Sequence, residues 1–410
     1  MKKKLIFKVY ILSFILLFAN SIFITENDSS FNIEIIFALF GSIVIAAIHK
    51  VFKNKLIAYA LFFSSAFTLV FNLTEPMTGM YVDSSNTFLF GLSFYSLSLG
   101  YKIYNDNKLD ISDIIIASNP LILFTGPIAI FFKDYSKTVF KKRFKVFFPY
   151  LLLGCFFFQI IAIPLTKYFY LIESVNIFNV ILYGIIFELF IYFNFAGLSL
   201  ILYALFGIMG LGIPLNFRQP FSSRNLIEFW RGWHITLSAV LKKLFYTPLR
   251  NKFNGSIALI AVFVSSALWH GVTVNFIIWG TFHATCFIIT KLLLNNRFKL
   301  LATLLMVFGI IFGRILFSDS DIDRLLMKLS FNEFTFDYTF VTLKGFNSVL
   351  SLLFGLLIVF SEFIFINNRW FKQRNYKIFR LPLFQLLLLV LTILLLSSNN
   401  GLNFAAYGQR

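Results

Sequence analysis

Charge is scarce in this sequence, and negative charge scarcest. Asp and Glu together number 18 among 410 residues, against 36 Lys and Arg, and all four types make up 13% of the chain. Soluble globular domains carry about 25%, so a water-soluble enzyme with an ordinary polar surface is excluded. Cysteine is nearly absent: Cys155 and Cys286 lie far apart inside apolar segments, which excludes a disulfide framework and a cysteine-built metal site. The sequence has no glycine-rich phosphate loop, no Gly-x-Ser-x-Gly elbow and no Cys/His metal spacing, which removes most soluble-enzyme chemistries. Neither a metal nor a tightly bound cofactor is expected. No internal repeat is visible, whereas many secondary transporters are built from inverted repeats.

What is present is apolar. Hydrophobic residues make up 59% of the chain, phenylalanine alone occurs 58 times, and mean hydropathy is +0.82. Uncharged runs long enough for a bilayer recur throughout, about 11 to 13 of them. The predicted fold is therefore an all-α, polytopic integral membrane bundle that includes re-entrant or broken helices. Predicted spans include Val146–Leu165, Ile177–Phe193, Leu198–Ile213, Ile257–Trp269 and Phe276–Thr290. The lysines behind Met1 and the apolar run after them are read as an uncleaved first span rather than a signal peptide.

A net charge of +18 would suggest nucleic acid in a soluble protein. Here the basic residues collect between spans, at Lys50–Lys55, Lys133–Lys145, Arg218–Lys252 and Arg369–Arg380, which marks cytoplasmic loops and implies no nucleic acid. Counting crossings from Lys2 puts Lys133–Lys145 on the wrong side if Ile114–Phe132 crosses. That segment carries two prolines and a glycine, so it is read as re-entrant.

Against this background "NFRQPFSSRNLIEFWRGWHITLSAVLKKLFYTPL", residues 216–249, stands out. Leu226, Phe229, Trp230, Trp233, Leu237, Val240, Leu241, Leu244 and Phe245 make an apolar helix face, with Arg224, Glu228, Arg231, Lys242 and Lys243 opposite. Asn225 and Glu228 form a capping-type start. Such a helix lies in the interface or against the bundle, and binding of anionic headgroups would explain it without any catalytic role. His234, at the border of the two faces, suits a side chain pointing into the protein.

From Phe253 to Thr290 the chain carries no formal charge, a stretch too long for one span and slightly short for two. His270-Gly271 is the predicted break. A helix from Ser256 would place His270 roughly 20 Å along its axis and inside the bilayer, where an ionisable side chain is costly and a functional candidate. A neutral imidazole satisfied by Ser265 or Thr273 is the structural alternative. His283 is read as a packing residue and His49 as interfacial. Glu188, with Tyr192, Asn194 and Ser199, forms a polar track that either joins helices or lines a path.

These stretches together carry a resemblance. "NFRQPFSSRNLIEFWRGWHITLS" followed by "ALWHG", with "GLSFYS", "TGPI" and "YFNFAGLS" upstream and "GIIFGRILFSDSDIDRLLMKL" downstream, is similar to the signature of the membrane-bound O-acyltransferase family, nearest its alginate O-acetylase branch. The resemblance runs from about Gly91 to Leu329. It implies N-terminal transmembrane helices over 1–85, a catalytic core over 86–330 and C-terminal transmembrane helices over 331–410. It also implies an intramembrane histidine, His270, where a cytoplasmic donor tunnel meets an outward funnel, with His234 as the second recurrent histidine. The sequence departs from the family pattern at Asn194, Leu198, Gly232 and Lys242-Lys243, and no Gly-Gly follows Pro248-Leu249.

Acyl transfer from a thioester to a hydroxyl needs a base and a dry path, and a neutral imidazole can be that base. His270 is assigned as base and His234 as a positioning or proton-sharing group. Trp230, Arg231, Glu188, Asn194 and Asn275 are the candidate substrate contacts, and Arg218, Arg224 and Lys243 are candidates to attract an anionic donor, acetyl-coenzyme A or an acylated carrier protein. The expected activity is acetylation of an envelope polysaccharide across the cytoplasmic membrane, among its lipids and with an extracytoplasmic partner. D-alanyl transfer to teichoic acid, acylation of a lipid or protein hydroxyl, and a transporter or scaffold role stay open at this point.

Overall fold

The computed structural model describes residues 5–13, 55–74, 85–106, 110–119, 121–122, 128, 133–135, 137–271, 273–319, 321–330, 346–366 and 381–396. His49 and the basic run Arg369–Arg380 lie outside the described residues.

The described chain is almost wholly helical. We number its helices α1 (Leu56–Thr74), α2 (Ser85–Asp106), α3 (Ile111–Ala117), α4 (Phe140–Glu173), α5 (Ile177–Met209), α6 (Leu226–Gly232), α7 (Ile235–Leu241), α8 (Gly255–His270), α9 (Val274–Asn295), α10 (Lys299–Ser318), α11 (Ile322–Leu329), α12 (Phe346–Ser361) and α13 (Pro382–Leu396). Among the described residues five helices are long and apolar enough to cross a membrane: α4, α5, α9, α10 and a stretch of α12 and its continuation. On α10 the apolar Leu300, Leu304 and Phe308 recur every fourth residue and are all exposed, a stripe suited to lipid contact.

The spans predicted at Ile177–Phe193 and Leu198–Ile213 are one continuous helix, α5, of 33 residues. The Asn176 side chain accepts the Phe178 N–H at its start, and Gly210, at φ 104°, closes it in the left-handed conformation that glycine adopts without penalty. At about 1.5 Å per residue it is roughly 50 Å long, more than the hydrocarbon needs. Gly197, in the gap left between those two predicted spans, is a close contact. A Cβ there would lie 2.9 Å from the Phe158 backbone nitrogen and 3.0 Å from the Gly154 carbonyl oxygen. With lipid offering no apolar driving force of its own, such close backbone approach is what joins membrane helices. Gly197→Leu should therefore part α4 from α5. It is expected to cost about 1–3 kcal/mol or more, read as a lowered thermal midpoint in detergent, whereas Gly355→Ala, whose nearest neighbours are side-chain atoms at 3.3 Å and beyond, should cost little.

Helix α4 is not uniform either. Residues Phe156–Ala162 are π-helical, and the Ser351 hydroxyl of α12 donates to the Ile160 carbonyl within that stretch.

Lys133–Asp134 and Leu211–Gly212 form a two-stranded antiparallel ladder, with Lys133 opposite Gly212. Arg143, at the start of α4, donates from Nε to the Ile208 carbonyl at 2.9 Å, meeting the negative end of α5. Elsewhere Tyr59 packs between Tyr104 and Phe245, with ring centroids 5.8 and 5.9 Å away. Residues 123–127 and 129–132 of the segment predicted to be re-entrant are outside the described residues.

Candidate active site

The basic stretch does not form the single amphipathic helix predicted for it. Asn225 accepts the Glu228 N–H at 3.0 Å and starts α6 as expected, but the helix stops at Gly232. His234 takes a left-handed conformation, φ 44° and ψ 54°, and begins α7. Asn216 causes the break. Its carbonyl accepts the Ile235 N–H at 2.8 Å, and its side-chain oxygen accepts the N–H and the hydroxyl of Thr236 at 3.1 and 2.8 Å. A non-glycine residue in this region costs about 1–3 kcal/mol and persists where its surroundings over-determine it. Gly232 belongs to the same turn, since a Cβ there would lie 2.9 Å from the Arg218 carbonyl oxygen. After Leu241 the helix continues through a π-helical turn, Lys242–Tyr246, to Arg250.

The break at His270-Gly271 is where the length argument placed it: α8 ends at His270 and α9 begins at Val274. Gly280 of α9 packs on α8, with the Phe263 carbonyl oxygen and Ala267 Cβ each 2.8 Å from where its own Cβ would be. Trp269, wholly buried, donates from its indole to the Ser93 hydroxyl at 2.9 Å and fixes the end of α8 against α2. Ser93 belongs to the "GLSFYS" stretch.

Three helical stripes converge on one cavity of about 550 Å³. Gly255, Ser256, Leu259, Phe263, Ser266 and His270 form one side along the whole length of α8. That is roughly 22 Å at 1.5 Å per residue. At the end near Gly255 the wall includes Lys242, Tyr246, Arg250 and Lys291; at the other are His234, His270, Trp233, Trp279, Phe317 and Arg314. No Asp or Glu lines the cavity among the described residues.

At the deep end His270 is ringed by aromatic side chains. Its centroid lies 4.8 Å from that of Trp269, 4.9 Å from Phe317, 5.6 Å from Trp279 and 6.2 Å from Phe276. His234 stands 6.1 Å from Trp269, so one indole separates the two imidazoles. Burial pulls the His234 pKa down to about 4, and its Nδ1 has no hydrogen-bond partner among the described residues. His234 is therefore neutral at pH 7. The Thr273 hydroxyl offered as a partner for His270 makes no hydrogen bond among the described residues.

Of the residues singled out from sequence, His270, His234, Trp230 and Arg231 line the cavity, and Glu188, Asn194 and Asn275 do not. Glu188 accepts a hydrogen bond from Arg314 Nε. Tyr192, in the same predicted track, turns elsewhere and donates to Glu362 at 2.7 Å. Asn194 is buried within α5. Asn275 donates to the Asp319 carbonyl beyond the end of α10. His283 is packed between Trp230 and Trp279, both at 5.1 Å, and its Nε2 sits 2.3 Å from where a Cβ on Gly313 would be, consistent with the packing role read for it. Of the cations expected to draw a donor, Arg218, Arg224 and Lys243 stay off the wall, which uses Lys242, Arg250 and Lys291 instead. Arg224 lies over the Phe363 ring, 4.0 Å away.

Sequence reasoning missed Arg314. Its signal was present, an arginine inside the apolar run "GIIFGRILF", and an intramembrane cation demands a partner.

A family model described as the membrane-bound O-acyltransferase family matches residues 57–301, more than half of the chain, and takes in both histidines. Among characterised sequences, the chain is 38% identical over 105 residues to a probable alginate O-acetylase of Pseudomonas syringae, covering 25% of this chain and 20% of that one. It is 39% identical over 97 residues to a peptidoglycan O-acetyltransferase of Helicobacter pylori, covering 23% and 18%. A teichoic acid D-alanyltransferase of Bacillus subtilis is 26% identical over 212 residues, covering 45% and 52%. The matched region thus spans between about a fifth and half of these relatives' lengths.

Proposed function

The chain belongs to the membrane-bound O-acyltransferase family, and from that premise we propose that it transfers an acetyl group from a thioester donor, entered from the basic end, to a hydroxyl of a cell-envelope polymer. The observation that carries this reading is the cavity itself. It joins a mouth bearing Lys242, Arg250 and Lys291 to a deep end holding both histidines. A phosphate-bearing donor, acetyl-coenzyme A or an acetylated carrier protein, is drawn to such a mouth. Its thioester arm then lies in an aromatic and aliphatic passage where water is scarce and hydrolysis is suppressed.

In this reading the mouth faces the cytoplasm of the inner membrane, by the positive-inside bias. The acceptor arrives from the other side, where α8 gives way to α9, with or without an extracytoplasmic partner protein. His270 takes the hydroxyl proton as oxygen attacks the thioester carbonyl, and returns it to the departing thiolate. His234, neutral, orients the thioester or the acceptor beside it.

The relatives named for acetyl transfer and the one named for D-alanyl transfer differ in the charge of the group moved. A D-alanyl ester carries an ammonium, and the cavity wall offers it cations and no carboxylate. That favours the neutral acetyl group. Mass spectrometry of envelope glycans from cells with and without this chain tests the proposal. Loss of an acetyl ester supports it, loss of a D-alanyl ester replaces the acyl group, and an unchanged ester content overturns it.

The mouth makes a separate expectation. Reversing Arg250 and Lys291 together to glutamate should raise the donor's KM about tenfold or more, with kcat little changed and the difference shrinking as salt is added. Membrane retention should be native, because the spans hold the chain. Unchanged KM would assign these cations to lipid headgroups.

A further inference from the structure

We propose that Arg314 is a catalytic residue, whose terminal N–H groups hold the anionic tetrahedral intermediate formed at His270, and that Glu188 is the positioning carboxylate that aims it; this rests on the acyl transfer proposed above. The step balances simply. The acceptor oxygen bonds to the thioester carbonyl carbon while His270 takes its proton. The carbonyl π pair moves onto oxygen and is held there by the guanidinium. Collapse of that oxyanion breaks the carbon–sulfur bond, and the thiolate leaves with the proton from His270.

Three observations support the assignment. The first is place. Arg314 lines the deep end of the cavity although only 8% of its surface is exposed. Its Cζ lies 5.2 Å from the centroid of Phe317, the ring that meets His270 at 4.9 Å, and 5.4 Å from Trp233, the residue before His234. The guanidinium therefore lies against two aromatic rings at the end of the cavity that holds both histidines.

The second observation is how Arg314 is paired. Only its Nε bonds to Glu188, through Oε2; Glu188 Oε1 and the two terminal NH2 groups of Arg314 have no hydrogen-bond partner among the described residues. An arginine that merely locks two elements together uses its fork, as Arg324 does in this molecule. There Nε and Nη2 each bond a different oxygen of Asp319 at 2.8 Å. Glu188 takes Arg314 through Nε, and Arg314 is at the same time part of the cavity wall.

The third is cost. A buried guanidinium with unused donors is expensive, and a salt bridge inside a span is often no gain over apolar packing. A developing oxyanion in the same dry space is the partner those donors lack, and such preorganised donors are where enzymes gain most.

The test compares variants in inverted membrane vesicles supplied with radiolabelled acetyl-coenzyme A or, in parallel, an acetylated carrier protein, counting label in envelope material. Arg314→Lys keeps the charge but loses the planar donor set. It should lower kcat about 10²- to 10³-fold with KM for the donor within about threefold. Glu188→Gln should lower kcat by less, since the donors remain and only their aim is loosened. A structural ion pair predicts instead that kcat survives wherever the protein accumulates. Because Arg314→Lys can fail to fold, the double variant Arg314→Met with Glu188→Met, which removes both charges, should accumulate and show the same loss of kcat. Native kcat in either variant overturns the proposal, as does a change confined to KM, or failure of both to accumulate. His270→Ala in the same vesicles separates the two readings. If it abolishes labelling while Arg314→Lys does not, acyl transfer stands and the role of Arg314 falls. If the parent chain transfers no label from either donor, the acyl-transfer reading itself fails.

Discussion

Replacing His270 with alanine is expected to reduce acyl transfer roughly 10²- to 10⁴-fold, the range for losing a general base, while the protein still accumulates in the membrane. Retention follows from the contacts. His270 is only partly buried and closes α8 as its last residue, while the neighbouring Trp269 carries the anchoring bond to Ser93. Truncation should therefore enlarge the cavity without unseating the helix. His234→Ala is expected to cost less activity than His270→Ala, and part of its cost should appear as stability. Alanine tolerates the left-handed conformation at 234 poorly, and His234→Asn should recover that part. His283→Ala should show the opposite balance, with little change in transfer and a lower thermal midpoint from the cavity left against Gly313. Labelled acetyl incorporation at matched protein level checks the order. Full transfer by His270→Ala would refute its role as base.

The largest effect on stability is expected from Asp319→Ala. Asp319 is fully buried, with Lys328 Nζ on one carboxylate oxygen and both oxygens held by the Arg324 fork, which itself reaches Glu173 at 2.8 Å. With Asn275 on its carbonyl, this residue joins α4, α9 and α11 on the side of the molecule away from the basic mouth. Removing the carboxylate leaves the Lys328 ammonium buried at 2% exposure without its direct ion-pair partner, a loss of about 3–5 kcal/mol for such pairs. Lys328→Met added to Asp319→Ala should restore part of it, because the uncompensated charge is then gone. Burial raises the Asp319 pKa, but the hydrogen bonds and charges of Arg324 and Lys328 prevail and hold it below the ordinary carboxylate range. The folded state then binds fewer protons than the unfolded one as pH falls past about 4. The contribution is complete above that pH and is lost as pH drops through the lowered pKa. Thermal denaturation in detergent should show acid sensitivity in the parent that is blunted in the double variant. Equal midpoints for Asp319→Ala and the parent would refute the assignment.

Membrane character, the basic end and the break at His270 were legible in the residues because each depends on sums along the chain: hydropathy, charge per loop, and span length against bilayer thickness. His270 was singled out on such grounds, whereas His234 was singled out by its place on a helical wheel and by the family resemblance; the capping start at Asn225 is a local motif that the structure keeps. The tertiary structure decided what turns on distant partners. Two spans were predicted, ending at Phe193 and starting at Leu198, yet Gly154 of α4 meets Gly197 and the helix runs through. Residues 225–245 have the periodicity of one helix, and Asn216 breaks it by taking the backbone and side chain of Thr236. Glu188 announced a buried charge, but its partner is 126 residues away. Hydropathy and helical period are properties of neighbours in sequence, whereas a buried polar group is satisfied by whichever group packing brings within about 3 Å. For Arg314 that packing supplied Glu188 as partner and a place on the cavity wall.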